Sequence, residues 1–158
     1  MALRNLRTDD DPILRKKSRI VENFDSRLWD LLDDMRDTLY HAEGVGLAAV
    51  QVGVLRRVVL VDVGDGLLEL INPEIIETDG IQCMEEGCLS LPGKQGYTMR
   101  PMTVKVKAQN RDGKWCVYKG TDLKARAFCH ELDHLDGILY TDKLASKDEI
   151  EKYAKKED

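Results

Sequence analysis

Residues 121–137 read TDLKARAFCHELDHLDG and predict a buried helix at the centre of the fold. Thr121 or Asp122 can cap its start, and Gly137 follows its end. Apolar residues occupy most of its sides, a pattern typical of a helix that is surrounded by protein. A buried helix that carries two histidines and two acids needs partners for them, and a metal ion can supply some of these.

The two histidines of this helix, His130 and His134, stand four residues apart. At about 3.6 residues per turn, both side chains project from one face of the helix. This spacing suits two ligands of one metal ion, and it leaves Glu131 free to move protons for a bound water. The alternative is a pair of ordinary histidines on a structural helix. The spacing favours a metal-dependent hydrolase.

Length and composition limit the class of protein. The 158 residues predict one domain spanning residues 1–158, and 42% hydrophobic with 34% charged residues is typical of a soluble globular protein. The net charge of -5 argues against non-specific binding to nucleic acid or to anionic membranes. No apolar run reaches about 18 residues, so we expect no membrane span. No secretory segment is evident, which predicts a cytoplasmic location and four free cysteine thiols.

Periodicity along the rest of the chain predicts the remaining elements. A helix begins at Asp25 or Ser26 and ends near His41, and a short C-terminal helix begins with a capping box at Ser146. Strands are predicted over residues 57–63, 67–71, 103–108 and 115–119, with residues 72–73 ending the second strand and residues 80–93 left as a glycine-punctuated segment. The predicted fold is α+β, with antiparallel or mixed sheets packed around the central metal-bearing helix.

A catalytic metal usually has three protein ligands and one open position, so a third ligand is needed. The best candidate is Cys88, which follows a glycine in the segment EEGCLSLPG at residues 85–93. Taken alone, this cysteine is a small buried hydrophobe. In combination with the paired histidines, metal ligation becomes the better interpretation. Cys129 is adjacent to His130 and therefore points to a different side of the helix.

A small-residue loop at residues 44–53, GVGLAAVQVG, is the third candidate feature. Two glycines two positions apart let the backbone approach a bound chain closely, although a tight turn explains them equally well. The loop lacks the G-x-G-x-x-G pattern, which excludes dinucleotide binding. Gln51 is the one uncharged side chain here that can donate a hydrogen bond; a surface amide is the alternative.

Together these segments resemble the peptide deformylase family, whose motifs are G-x-G-x-A-A-x-Q, E-G-C-x-S and H-E-x-x-H. Here they read GVGLAAVQ at residues 44–51, EGCLS at residues 86–90 and HELDH at residues 130–134. All three are complete and in the family's order, and the resemblance runs from Asp11 to Tyr140. Val50 and Cys129 depart from residues common in the family, but neither occupies a ligand or proton-transfer position.

The resemblance implies one divalent metal ion held by Cys88, His130 and His134. Fe(II) is the expected physiological metal, with Zn(II), Ni(II) or Co(II) as alternatives. The implied reaction removes the N-formyl group from the N-terminal methionine of newly made polypeptides.

The resemblance also implies roles for residues other than the ligands. Glu131 would act as general acid and base, and the Gln51 amide with the Leu89 backbone N–H would stabilise the oxyanion. The peptide would lie extended against Val45 and Gly46.

An apolar pocket for the methionine side chain is predicted from Val45, Met84, Leu123 and Ala127. Asp133 and Glu86 are candidates to orient the ligands or to pair with Arg100 or Arg126.

The expected partners are N-formyl-methionyl peptides and nascent chains, with no specific nucleic acid and no membrane. Residues after Tyr140 carry both signs of charge and give little support for docking on the ribosome. Two other functions stay open from the residues: a zinc endopeptidase that uses H-E-x-x-H, and a non-catalytic, metal-stabilised binding module.

Overall fold

The computed structural model describes residues 2–154 of the protein. The helices and strands in chain order are α1 (Ser26–His41), β1 (Gly46–Ala48), β2 (Val58–Val61), β3 (Leu68–Asp79), β4 (Gln82–Cys88), β5 (Leu91–Arg100), β6 (Thr103–Gln109), β7 (Trp115–Thr121), α2 (Leu123–Leu135) and α3 (Lys147–Tyr153). None of the helices in residues 2–154 is long and apolar enough to cross a membrane. The predicted α+β class and the C-terminal helix are confirmed.

The strands form two antiparallel sheets. The larger sheet has the order β1-β2-β3-β6-β7, and β4 and β5 form a separate two-stranded sheet. Every pairing between these strands is antiparallel, so the sheets are antiparallel rather than mixed. This arrangement leaves β1 at one edge of the larger sheet.

Strand β2 lies between the two long helices, and its sequence VVLV reflects that position. Val58 and Leu60 pack in one cluster with the apolar stripe of α1, whereas Val59 and Val61 pack in another with α2. Because successive strand side chains point to opposite faces, a strand covered on both faces is apolar at every position. Helix α2 is thus held against the sheet, as the sequence predicts for a central helix.

Two helix starts match the capping signals in the sequence, whereas Asp122 is the N-cap residue of α2 but makes no capping hydrogen bond with its side chain. The Asp25 carboxylate accepts a hydrogen bond from the Leu28 N–H at 3.2 Å, and Ser146 and Glu149 form the predicted capping box of α3. Helix α1 ends at His41, as predicted.

The prediction that residues 72–73 end a strand is wrong, because β3 continues through them to Asp79. Asn72 adopts a φ of 52°, and its side chain hydrogen-bonds both the N–H and the carbonyl of Val21. The register with β6 shifts between Ile71 and Glu74. This irregularity accommodates Pro73, which has no N–H to donate, without ending the strand.

Two other segments are more regular than the sequence pattern indicates. The glycine-punctuated residues 80–93 contain all of β4 and the start of β5. The loop predicted over residues 44–53 contains β1 and a 3₁₀ turn at Ala49–Val52, which ends at Gly53 with a φ of 84°. Both segments lie beside α2 and carry candidate site residues.

Candidate metal centre and active site

Three potential metal ligands converge at the junction of α2 and β4. One donor atom each from Cys88, His130 and His134 lies within 4.8 Å of the other two. The Cys88 Sγ stands 3.3 Å from the His134 Nε2, and the two imidazole rings are 5.0 Å apart between centroids. One thiol and two imidazoles at this spacing would suit a divalent ion of the first transition row, and three protein ligands are the usual number at a catalytic metal site.

Local structure explains how these side chains meet. His130 and His134 are one turn apart on α2, and both are buried. Cys88 is the last residue of β4, where the pairing with β5 shifts register after Gly87. Such shifts re-aim a side chain relative to a regular strand.

A buried ionic network surrounds His130. Its Nδ1 lies 2.8 Å from Glu86 Oε2, which also accepts from the Arg100 guanidinium at 2.8 Å. Arg100 donates in addition to Asp133 at 2.7 Å, and Thr98 donates to Glu86 at 3.0 Å. Burial alone would raise the pKa of Glu86, but the bonds from His130 and Arg100 outweigh it and hold the pKa at about 2. A carboxylate on Nδ1 leaves Nε2 of His130 for a metal.

Glu131 sits beside the three potential ligands in a poorly solvated position. It is buried, and its Oε1 has no hydrogen-bond partner among the described residues. Burial raises the pKa of Glu131 to about 7, despite the opposing attraction of His130. A carboxyl group with a pKa in this range can both take up and release a proton near neutrality.

Gly46 makes room for Glu131. A Cβ built on Gly46 would stand 2.8 Å from both Cγ and Cδ of Glu131, which is closer than real Cβ contacts come. The second glycine of the motif is therefore required by the approach of the carboxylate to the β1 backbone. The sequence interpretation gave Gly46 only a role in contacting the peptide.

Gln51 is buried rather than a surface amide. Its Oε1 accepts from the Ala48 N–H at 2.9 Å, which fixes the orientation of the amide. The Nε2 therefore faces the metal centre, where it donates to Ser90 Oγ at 3.1 Å and lies 3.7 Å from Cys88 Sγ. A fixed donor beside the ligands is suited to stabilising negative charge there.

A cavity of about 300 Å³ opens beside these residues. Val45, Leu123 and Ala127 line it as predicted, and so do His130 and Glu131, but Met84 lies outside it. The cavity is also lined by Glu43, Gly44, Gly46, Glu85, Glu86, Gly87, Leu89 and Arg126.

The structure adds two residues whose positions the sequence interpretation missed. Arg126 lines the cavity one turn before His130 on α2, a spacing that could have signalled it. Tyr140 is buried and stacks on His130, with ring centroids 6.1 Å apart at 27°. Cys129 is not part of the ligand cluster, and burial raises the pKa of its thiol to about 11.

Known proteins match both the sequence and this geometry. The family model described as polypeptide deformylase matches residues 3–149. The chain belongs to the polypeptide deformylase family. The peptide deformylase of Alkaliphilus metalliredigens is 62% identical over 144 residues, which cover 91% of this chain and 98% of that protein.

Solved deformylase structures have the same fold. The Thermotoga maritima enzyme gives a TM-score of 0.89 at 41% identity and covers 91% of this chain and 99% of that one. The Synechococcus elongatus enzyme, solved in complex with actinonin, gives 0.87 at 35% identity and covers 94% and 82%. The chain is thus a metal-dependent hydrolase that removes the N-formyl group from the N-terminal methionine of new polypeptides.

The contact between Gly46 and Glu131 predicts a specific effect of a small substitution. Gly46→Ala should force the Glu131 carboxylate out of position and lower the deformylation rate by about 10²-fold, the cost of a misplacement near 1 Å. Metal content and folding should be retained, as measured by elemental analysis and circular dichroism. The control is Gly96→Ala, whose Cβ would be too close only to the Leu144 Cδ2, at the tip of an exposed side chain, and would make an ordinary contact with Tyr140 Cε2 at 3.7 Å. Equal rates for both variants would contradict the prediction.

Proposed function

We propose that Cys88, His130 and His134 bind one divalent metal ion and that the remaining site residues deformylate the nascent chain around it. The observation that carries this proposal is the convergence of three donor atoms within 4.8 Å, next to the buried Glu131 carboxylate, whose Oε1 has no hydrogen-bond partner among the described residues, in the lining of a cavity. Family membership does not favour a zinc endopeptidase or a non-catalytic module.

Fe(II) is the metal that we propose for the site. One thiolate and two imidazoles also suit Zn(II), Ni(II) and Co(II), so the ligands alone do not select among them. When bound, a divalent metal supplies Lewis acidity, which lowers the pKa of water and polarises a carbonyl group.

Glu131 is the proposed proton carrier. One of its carboxylate oxygens takes the proton of the attacking water and later delivers it to the nitrogen of the leaving amine. The burial of Glu131, with its Oε1 free of any hydrogen-bond partner among the described residues, supports this role. The pairing of Glu86 with His130 also supports the proposal. It commits Glu86 to orienting a ligand, so Glu86 is not the proton carrier.

Gln51 and Leu89 are proposed to stabilise the oxyanion. The Nε2 of Gln51 is held toward Cys88 by the bond from Ala48 to its oxygen, so it needs little reorganisation to donate to the formyl oxygen. The backbone N–H of Leu89, directly after Cys88 in the chain, is the second proposed donor.

The peptide is proposed to add to β1 as a further strand. β1 pairs with β2 on one side and forms the edge of the larger sheet. Val45 and Gly46, at the start of that edge, line the cavity. An extended peptide can hydrogen-bond such an edge regardless of its sequence, which suits an enzyme that processes many different nascent chains.

The proposed partners are N-formyl-methionyl peptides and nascent chains, and proximity to the ribosome has only weak support from the sequence. Helix α3 reads KDEIEKY, with three acidic and two basic residues, which is no basic surface for RNA. The last four residues of the charged tail, 155–158, lie outside the described part of the chain.

The activity predicts a clear order of substrates. After anaerobic purification with Fe(II), kcat/KM should be far higher for formyl-Met-peptides than for acetyl-Met-peptides or for internal peptide bonds. The formyl carbon carries only hydrogen, so a close-fitting site can exclude the acetyl methyl by sterics alone. Comparable rates on formyl groups and internal bonds would instead identify a general metallopeptidase.

Ligation by Cys88 predicts a loss of metal in a matched pair of variants. Cys88→Ala should lose most of its bound metal and should melt at a lower temperature, because metal binding contributes to folding free energy. Cys129→Ala removes a neighbouring buried thiol outside the ligand cluster and should keep the metal. Metal content by elemental analysis and melting by calorimetry measure both effects. A full metal complement in Cys88→Ala would remove this residue from the ligand set.

Glu131→Gln separates holding the metal from using it. The amide keeps the shape of the side chain but cannot carry the proton, so kcat should fall by at least about 10²-fold. Bound metal should stay at the level of the unmodified protein, which distinguishes this variant from a ligand substitution. Glu131→Asp keeps a carboxyl group at a shorter reach, so its kcat should lie between those of the unmodified protein and Glu131→Gln. A near-normal rate in Glu131→Gln would exclude Glu131 from proton transfer.

A further inference from the structure

One face of α2 forms a wall of the cavity. Leu123, Arg126, Ala127 and His130 line it at the spacing i, i+3, i+4, i+7. Leu123 is 48% exposed, whereas His130 is buried among the proposed ligands. Arg126 therefore stands between the mouth of the cavity and its metal end.

Arg126 lies at the depth in the cavity that the sulfur atom of a substrate methionine would reach. This step rests on the proposed function, because it takes the formyl group to lie beside His130. Arg126 is four residues, or about 5–6 Å between Cβ atoms, from that histidine. The sulfur of methionine stands three bonds from its Cα, so a methionine side chain that extends into the cavity brings its sulfur to the level of Arg126.

The guanidinium of Arg126 is a buried cation with spare donors. The residue is only 7% exposed, and its Nη1 donates to the Glu85 carbonyl at 3.1 Å while its Nη2 donates to Gln82 Oε1. Its Nε has no hydrogen-bond partner among the described residues and lies 4.0 Å from Glu86 Oε1. Because Nε is itself buried, the donors left for a ligand are the second N–H groups of Nη1 and Nη2.

Among the described residues that line the cavity, Arg126 is one of only two whose side chains donate hydrogen bonds. Apart from glycines and apolar residues, the cavity is lined by Glu43, Glu85, Glu86 and Glu131, whose carboxylates accept hydrogen bonds. The other side-chain donor in the lining, His130, is committed to Glu86 through its Nδ1 and to the proposed metal through its Nε2.

A donor at this level selects among side chains that fill the cavity equally well. The methionine thioether is a weak acceptor, and norleucine, its hydrocarbon counterpart, has no acceptor. Methionine sulfoxide has nearly the same length but carries a polar oxygen on the sulfur. A purely apolar wall would reject that oxygen, because it would be buried without a partner.

We infer that Arg126 determines side-chain specificity by donating a hydrogen bond at the sulfur position, and that N-formyl-methionine sulfoxide peptides are a further class of substrate. The reaction is the same deformylation, and the sulfoxide is left unchanged. Oxidation of the first residue of a nascent chain therefore does not block its processing.

The first test uses the unmodified metal-loaded protein and three peptides that differ only in the first residue: formyl-Met, formyl-Met sulfoxide and formyl-norleucine. The expected kcat/KM for the sulfoxide lies within about tenfold of that for norleucine. An apolar wall would favour norleucine by about 10²-fold, the cost of burying a polar group without a partner. A preference for norleucine of that size overturns the inference.

The second test compares two variants of one helix. Arg126→Met keeps a long side chain without a donor, and the ratio of sulfoxide to norleucine kcat/KM should fall at least about tenfold. Lys124→Met removes a cation that lies outside the cavity and pairs with Asp65, so its ratio should equal that of the unmodified protein.

The outcomes separate the two proposals. An unchanged ratio in Arg126→Met overturns the role of Arg126, even if formyl-Met is cleaved normally. Failure of the unmodified protein to cleave formyl-Met overturns the proposed function, and this inference with it. If circular dichroism shows that Arg126→Met does not fold, the three-peptide comparison on the unmodified protein decides the inference alone.

Discussion

The carboxylate of Glu86 is the interaction on which the site depends. It belongs to β4, it is bound by Arg100 from β5, and it contacts His130 on α2, so one buried charge joins the small sheet to the central helix. Replacing a whole buried ion pair by apolar residues is often neutral for stability, whereas removing one partner costs about 3–5 kcal/mol. The main effect of the network is therefore on geometry rather than on stability, because it fixes the position of β4 relative to the histidines.

That geometry sets the position of the third ligand. Cys88 follows Glu86 by two residues at the end of β4, and the register shift after Gly87 re-aims its side chain relative to a regular strand. When Glu86 reaches His130 at 2.8 Å, Cys88 is brought to His134 at 3.3 Å. A single contact between β4 and α2 thus brings Cys88 next to the two histidines, from which it is far apart in the sequence.

The sequence predicted the helices and strands whose apolar residues follow one regular spacing. It missed the strands in which that spacing is interrupted. The stripe of α1 and the apolar run of β2 gave their positions directly, and the three motifs gave the residues that the structure brings together. The β4–β5 hairpin was not predicted because glycines and acids interrupt its alternation. The course of β3 depends on the left-handed φ of Asn72 and its bonds to Val21, a distant contact that no local pattern reports.

Unpaired buried polar atoms are concentrated where the chemistry occurs. Within residues 2–154, five buried side-chain atoms lack a hydrogen-bond partner, and four of them belong to Arg126, Glu131, His134 and Tyr140. Such atoms destabilise a fold, so their accumulation in one place indicates a site arranged for a ligand rather than for packing. A water can use the unpaired Oε1 of Glu131, whereas the unpaired Nδ1 of His134 is on the opposite side of the ring from the Nε2 that faces Cys88 Sγ. The Nε of Arg126 is buried 4.0 Å from Glu86 Oε1, so this atom belongs to the network around Glu86. The donors left for a substrate are the second N–H groups of its Nη1 and Nη2, on a side chain that lines the cavity.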